Sequence, residues 1–183
     1  MSHGNEKLQN YFSYANTTGH GIIGKHNLSK HNLTFRETSV LLNSRLKLDG
    51  SMNLMRQVVK NKPTVGGFYM NPLVGLYRFP RGEDISYYKE NFEVYDEGRN
   101  LNIQNWHTSY EDFEQNPYWI TNRILSKENR MHVIVSLSAN LKINDWLSLQ
   151  ARGNVDYIND KVRQQFYACL LYTSDAADEE DSV

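Results

Sequence analysis

The chain has 183 residues with one cysteine, Cys169, four prolines and no run of eighteen apolar residues. The last absence excludes a transmembrane helix, which needs about 20 consecutive apolar residues. The first leaves no disulfide framework from which a compartment can be read. The amino end, Met1 to Lys7, has neither a basic start nor an apolar segment, so no secretion signal is read there, and a surface protein beginning here is expected to be a fragment. Mean hydropathy is low at -0.65. That value does not argue against a membrane, because strands that alternate lipid-facing and lumen-facing residues cross a bilayer without raising the average. An apolar content of 39%, with 12% aromatic residues, is enough for one ordinary domain.

The carboxyl end is set apart. Cys169 to Glu179 reads Cys-Leu-Leu-Tyr-Thr-Ser-Asp-Ala-Ala-Asp-Glu, which looks like the translation of a transposase sequencing adapter read through at a truncated gene end. The competing reading is an acidic interaction tail. Without residues 169–183 the sole cysteine and five acids disappear. Twenty Lys and Arg then face sixteen acids, and the formal charge moves from -1 to +4.

What the chain does have is alternation. Met131, Val133, Val135, Leu137, Ala139 and Leu141 share one parity, and His132, Ser136, Ser138 and Asn140 the other, with Ile134 the apolar intruder. After Lys142 to Asp145 the pattern resumes. Leu147, Leu149, Ala151, Gly153, Val155 and Tyr157 alternate with Ser148, Gln150, Arg152, Asn154 and Asp156. A period of two over about ten residues is the signature of a membrane β-barrel hairpin, apolar toward lipid and polar toward a wet lumen. A soluble sandwich, with its apolar face turned to a core, shows the same period.

Strands are expected at about 8–16, 31–38, 45–58, 130–141 and 146–158, with a loop over Thr17 to Lys30, a turn near Ser39 to Ser44 and one long irregular connection over 60–129. Short turns then fall at one end and long loops at the other, as in outer-membrane barrels. A seventy-residue irregular connection counts against a compact soluble domain. The fold class expected is all-β: antiparallel strands of an incomplete transmembrane barrel with one long extracellular loop. Five or so strands cannot close such a barrel, so the piece is not expected to fold alone. Trp146 and Tyr157, near opposite ends of one strand, are candidates for the aromatic girdles at the two interfaces.

Gly19, Gly21 and Gly24 spell GxGxxG, but a dinucleotide site needs a helix to begin there, and a second strand is expected instead. His20, His26 and His31 lack cysteine partners and helical spacing, so they are read as loop histidines rather than zinc ligands. Glu111, Asp112 and Glu114 could supply a carboxylate pair for glycoside hydrolysis, against the plainer reading that acids in a loop solvate it. No nucleophile elbow is present, and no catalytic residue, metal or cofactor is assigned. The aromatic-rich connection, with Phe68, Tyr69, Tyr77, Phe79, Tyr87, Tyr88, Trp106, Tyr118 and Trp119 beside amides and charges, suits sugar rings, whose faces are apolar and whose edges carry hydroxyls. The plainer alternative is that these rings pack the connection against itself.

Six segments together resemble a known family: Phe12-Ser13-Tyr14-Ala15-Asn16-Thr17-Thr18, His31 to Thr38 (HNLTFRET), Asn71 to Tyr77 (NPLVGLY), Phe79-Pro80-Arg81-Gly82, Asn116-Pro117-Tyr118-Trp119 and Asp145 to Leu149 (DWLSL). In this order they are similar to the SusC/RagA family, the TonB-linked outer-membrane transporters of Bacteroidetes, from about Lys7 to Ala168. The resemblance implies part of a large barrel in the cell outer membrane. Its parent would import glycans, or in some members peptides, with a SusD-like lipoprotein capping the mouth and energy relayed by the TonB complex. The plug, the TonB-contacting segment and the signal peptide of that family have no counterpart in these residues. The expected role is transport rather than enzymatic, with outer-membrane lipid around the barrel and no nucleic acid partner. Trp106, Tyr118 and Trp119 in the connection, and Arg152 and Asp156 on the lumen parity, are the candidate substrate contacts. The competing classes are a soluble surface carbohydrate-binding β module and an extracellular glycosidase.

Overall fold

The computed structural model describes residues 1–66, 70–108 and 114–167. The adapter-like residues 169–183, together with Phe68, Tyr69, Glu111 and Asp112, lie outside that set. Strands β1 (Ser2–Gly4), β2 (Leu8–His20), β3 (Asn27–Leu41) and β4 (Leu46–Lys60) come first. Helices α1 (Pro72–Arg78) and α2 (Ile85–Glu90), strands β5 (Glu93–Asp96) and β6 (Leu101–Gln104), and helix α3 (Pro117–Arg123) follow. Strands β7 (Leu125–Lys142) and β8 (Ser148–Gln165) complete the order. Strands hold 57% of the structure and helices 13%, which makes this a mostly antiparallel β protein. The large sheet has the order β1-β2-β3-β4-β7-β8, an up-and-down meander, and β5 and β6 pair separately. Among the described residues the sheet does not close, so β1 and β8 are its edges.

The strands run further than the apolar pattern does. The segment expected over 8–16 extends to His20, that over 31–38 becomes Asn27–Leu41, and those over 130–141 and 146–158 become eighteen-residue strands. Ladder bonds are made by backbone alone, whereas side-chain alternation marks only the stretch where the two faces meet different surroundings. The short β1, paired Ser2 to Tyr11 and Gly4 to Gln9, is too brief to carry a period.

The loop expected over Thr17 to Lys30 is corrected to a tight hairpin over 21–26. The Gly21 amide donates to the His26 carbonyl at 2.9 Å, and the His26 amide to Ile23 at 3.3 Å. A side-chain carbon at Gly21 would stand 2.2 Å from His26 Nδ1, which is why glycine sits there. The GxGxxG spacing therefore builds a strand-to-strand turn, with no helix to face a pyrophosphate. Between β3 and β4, Leu42, Asn43 and Ser44 are all left-handed, with φ of 54°, 51° and 68°. Between β7 and β8, the Asn144 side chain accepts from the Trp146 and Leu147 amides at 3.2 and 2.8 Å.

The irregular connection expected over 60–129 is a second correction, because it is folded. Each helix starts on a side-chain cap. Asn71 accepts from the Leu73 amide ahead of Pro72, Asp84 from Ser86, and Asn116 from Tyr118 and Trp119 ahead of Pro117. Asn or Asp at the cap satisfies amides that the first turn leaves free, and proline at the next position has no amide to lose. Within the chain two compact units are distinguished: residues 1–19 with 28–59 and 128–162, and residues 20–27 with 60–127 and those from 163 on.

Side-chain pairs fix which parity of each strand shares a face. Tyr14 hydrogen-bonds His31 at 2.7 Å, the Asp49 carboxylate receives Arg36 and Thr38 at 2.8 Å each, and Asn53 donates to Thr34 at 3.0 Å. A side-chain carbon at Gly50 would lie 3.6 Å from Leu137. Arg130 meets Asp160 and His132 meets Asp156. One face thus carries Arg36, Asp49, Asn53, His132 and Asp156. The other carries Phe12, Phe35, Leu48, Met52, Leu54, the odd residues from Met131 to Leu141, and the odd residues from Leu147 to Tyr157.

Candidate functional site

The second unit has the core that the sheet lacks. Trp119 is fully buried, and Ile120 and Trp106 are 5% and 8% exposed. Trp106 packs against Phe79 and Tyr88 at 5.2 Å each between ring centres, and against His107 at 4.9 Å. Trp119 meets Tyr167 edge-on at 5.2 Å, and the Arg123 guanidinium lies over both rings. That same Arg123 is held by Glu93 through two bonds of 2.7 Å. Of the candidate substrate contacts, Trp106 and Trp119 are thus enclosed by other side chains and show little or no surface to solvent. Tyr118 is half-buried. The aromatic faces that solvent reaches in this unit belong instead to Tyr77 at 84%, Tyr95 at 56% and Tyr87 at 55%. Sequence could not rank them, since all are tyrosines or tryptophans in one stretch. Only the helical spacing of α1 separates outward Tyr77 from inward Gly75.

Asn116 is the polar centre of this unit. Fully buried, it caps α3 with its carbonyl and donates its amide to the Tyr88 and Asn105 carbonyls at 3.0 and 2.7 Å, while its backbone amide reaches Gln104. Each of its polar groups is matched, as burial requires. Glu114, the described member of the carboxylate group 111–114, is also buried. It receives His107 Nε2 at 2.8 Å and has Arg78 at 3.8 Å. A carboxylate held by two partners in a core is a packing element with no open side for substrate. At Tyr88, the hydrogen bond to Glu83 at 2.9 Å is the chief reason the phenol titrates above its ordinary value.

The first unit presents the polar face of the sheet. Arg152 stands exposed there, and Asp156, four residues on, accepts from His132 at 2.6 Å. Nearby on the same face Arg130 grips Asp160 with two bonds of 2.7 Å. Across β2, β3 and β4 a concavity of about 1220 Å³ is lined by Tyr11, Arg36, Lys47 and Asp49, among others. Charges of both signs, mostly paired with each other, make a hydrated wall without a concentrated field. Arg152 and Asp156 thus share a face as expected, while Trp106, Tyr118 and Trp119 belong to the other unit. Among the described residues no group of His, Cys, Asp and Glu is arranged to hold a metal. His20 bonds Asn27 at 2.5 Å and His31 bonds Tyr14, so two of the three loop histidines have side-chain partners.

Comparison with models of protein families and with curated proteins finds no match for this chain.

Proposed function

We propose that the chain is part of a TonB-linked outer-membrane transporter of the SusC/RagA kind, importing glycans or peptides beneath a SusD-like lipoprotein. The single observation that carries this reading is the height and bareness of the apolar band. On β7 the outward parity is apolar from Leu141 back to Met131, then turns to Asn129 and Lys127. On β8 it is apolar from Leu147 to Tyr157, apart from Gly153, then turns to Asn159, Lys161 and Arg163. On β4 it runs from Leu46 to Leu54 and ends at Arg56. Each run begins beside a tight turn and lasts nine to eleven residues, and a tilted strand needs about 9–11 to cross a bilayer.

The band is also uncovered. Leu137, Leu149 and Val155 show 63%, 61% and 63% of their surface. A sandwich would bury these against a second sheet, and burial would stabilise each by about 1.5–3 kcal/mol. Trp146, 82% exposed in the turn, and Tyr157 lie at the two limits of the β8 band, where interfacial aromatics belong. Among the described residues no helix is long and apolar enough to cross a membrane.

In this reading the polar face, with Arg152 and Asp156, lines the lumen. Substrate is bound and passed on with no bond broken, so shallow hydrogen-bonding side chains and exposed tyrosine faces suffice. The test is fractionation of the complete gene product. The transporter stays in the outer-membrane pellet through salt and carbonate washing; a product that washes off is a soluble module, and the reading fails. A second arm replaces Tyr77 and Tyr87 by Ala in the complete protein, where uptake is expected to fall severalfold with barrel assembly intact.

A further inference from the structure

Beyond the apolar band, the outward face of the sheet changes to a row of cations. Lys60 on β4, Lys127 on β7 and Arg163 on β8 lie on the outward parity of three neighbouring strands. Their register is fixed by bonds. The Asn61 amide donates to the Ser126 carbonyl at 2.8 Å and the Ser126 amide to Asn61 Oδ1 at 3.1 Å, which sets Lys60 beside Lys127. The Arg130 to Asp160 pair sets Lys127 beside the stretch that holds Lys161 and Arg163. Lys60, Lys127 and Arg163 line one concavity of about 250 Å³ with Asn61, Ser126 and Gln165. All three cations are exposed, and among the described residues none has a carboxylate partner. The acids of these strand ends, Glu128 and Asp160, occupy the opposite parity.

Like charges placed opposite one another across strands repel, so such a row lowers the stability of the sheet unless an anion lies over it. The row stands four to six residues past Met131 and Tyr157, where hydrocarbon gives way to headgroups if the band is bilayer-spanning. We propose that this concavity binds the phosphate of an anionic lipid headgroup. Phosphate oxygens accept several charge-assisted bonds at once, Arg163 offers a planar fork, and the two lysines supply point charges. Ser126, Gln165 and the apolar Leu125 complete the lining with Asn61, whose side chain is held by the Ser126 amide and the Lys25 carbonyl. The same row fixes the vertical position of the strands, because sliding toward the band would bring the three cations into hydrocarbon.

This inference rests on the membrane reading above, and one experiment separates their failures. The complete gene product, diluted from detergent, is mixed with phosphatidylcholine vesicles and with vesicles that also contain phosphatidylglycerol, and bound protein is measured by flotation at low and high salt. Anionic vesicles are expected to bind it about a hundredfold more tightly, at about fivefold for each cation near the surface. The K60Q/K127Q/R163Q variant is expected to lose that preference while keeping its binding to phosphatidylcholine. Because these substitutions remove repulsion, the variant is expected to fold at least as well, checked by circular dichroism. Equal binding of wild type and variant to both vesicles overturns the headgroup site alone. Equally strong displacement by inorganic phosphate at matched ionic strength also overturns it, in favour of a free-anion site. Failure to bind either vesicle overturns the membrane reading and this inference with it.

Discussion

Leu137 and Ile120 are aliphatic side chains of the same size in one chain, yet the first shows 63% of its surface and the second 5%. The unit around α3 is organised by water: it buries Trp119 and Ile120, matches every polar group of Asn116, and leaves tyrosines at its rim. The meander is organised otherwise. Its polar face is tied together by Arg36 with Asp49, and His132 with Asp156, while its apolar face leaves Leu137, Leu149 and Val155 exposed. The contrast shows that exposed hydrophobic area is not a general looseness of this chain. On β7 and β8 much of it follows one parity, with Val135, Leu137, Leu149 and Val155 all exposed, although Ile158 and Val162 on the other parity are exposed as well.

The largest break in that contrast is expected at Trp119. Replacement by Ala removes the ring between Arg123 and Tyr167 and is expected to destabilise the second unit by about 3–5 kcal/mol, read as lost hydrogen-exchange protection of the α3 amides. Leu137→Arg tests the other side. In lipid it is expected to cost about 2–4 kcal/mol at mid-band, seen as a lower folded fraction in vesicles, whereas Ser138→Arg on the polar face is tolerated. If both substitutions behave alike, the two faces do not meet different media. Gly75→Ala is expected to cost about 1–3 kcal/mol, because a methyl there would stand 2.3 Å from the Gln115 carbonyl, and thermal unfolding reads it. Asn116→Ala, which leaves the Tyr88 and Asn105 carbonyls without their donor, is expected to cost a similar amount.

The smallest effect concerns pH. Tyr88 keeps its proton above the ordinary phenol range while Glu83 accepts its hydrogen bond. A raised folded value means that its contribution to stability is complete below the unfolded value near 10 and is lost as pH climbs through the folded one. Glu83→Gln is expected to bring the phenol back toward its usual titration, followed by absorbance of the phenolate.

The sheet was legible from residues because its two parities differ where they meet different surroundings. Met131 to Leu141 and Leu147 to Tyr157 announced both strands and faces. The pattern was silent where strands continue with polar residues on both sides, as at Asn159 to Gln165. The folded second unit was missed although its signals were present. Asn71-Pro72 and Asn116-Pro117 each place a capping side chain ahead of a residue suited to a first turn, but seven-residue helices are too short for a 3.6-residue period to emerge. Trp106 and Trp119 read as contacts in the sequence because large rings beside amides suit sugars. The same rings are the best means of filling a small core, and composition cannot tell these uses apart.

Strand β8 has one open flank. Along its eighteen residues the amides and carbonyls that point away from β7 have no neighbour among the described residues. In water they are hydrated, but in hydrocarbon each would forfeit several kcal/mol, so a lone meander has no stable home in a bilayer. In a bilayer it would have to pair with another strand, and the identity of that strand would set the outcome. A following strand of the same polypeptide would continue the wall, whereas a second copy would zip alongside and begin a ribbon without end.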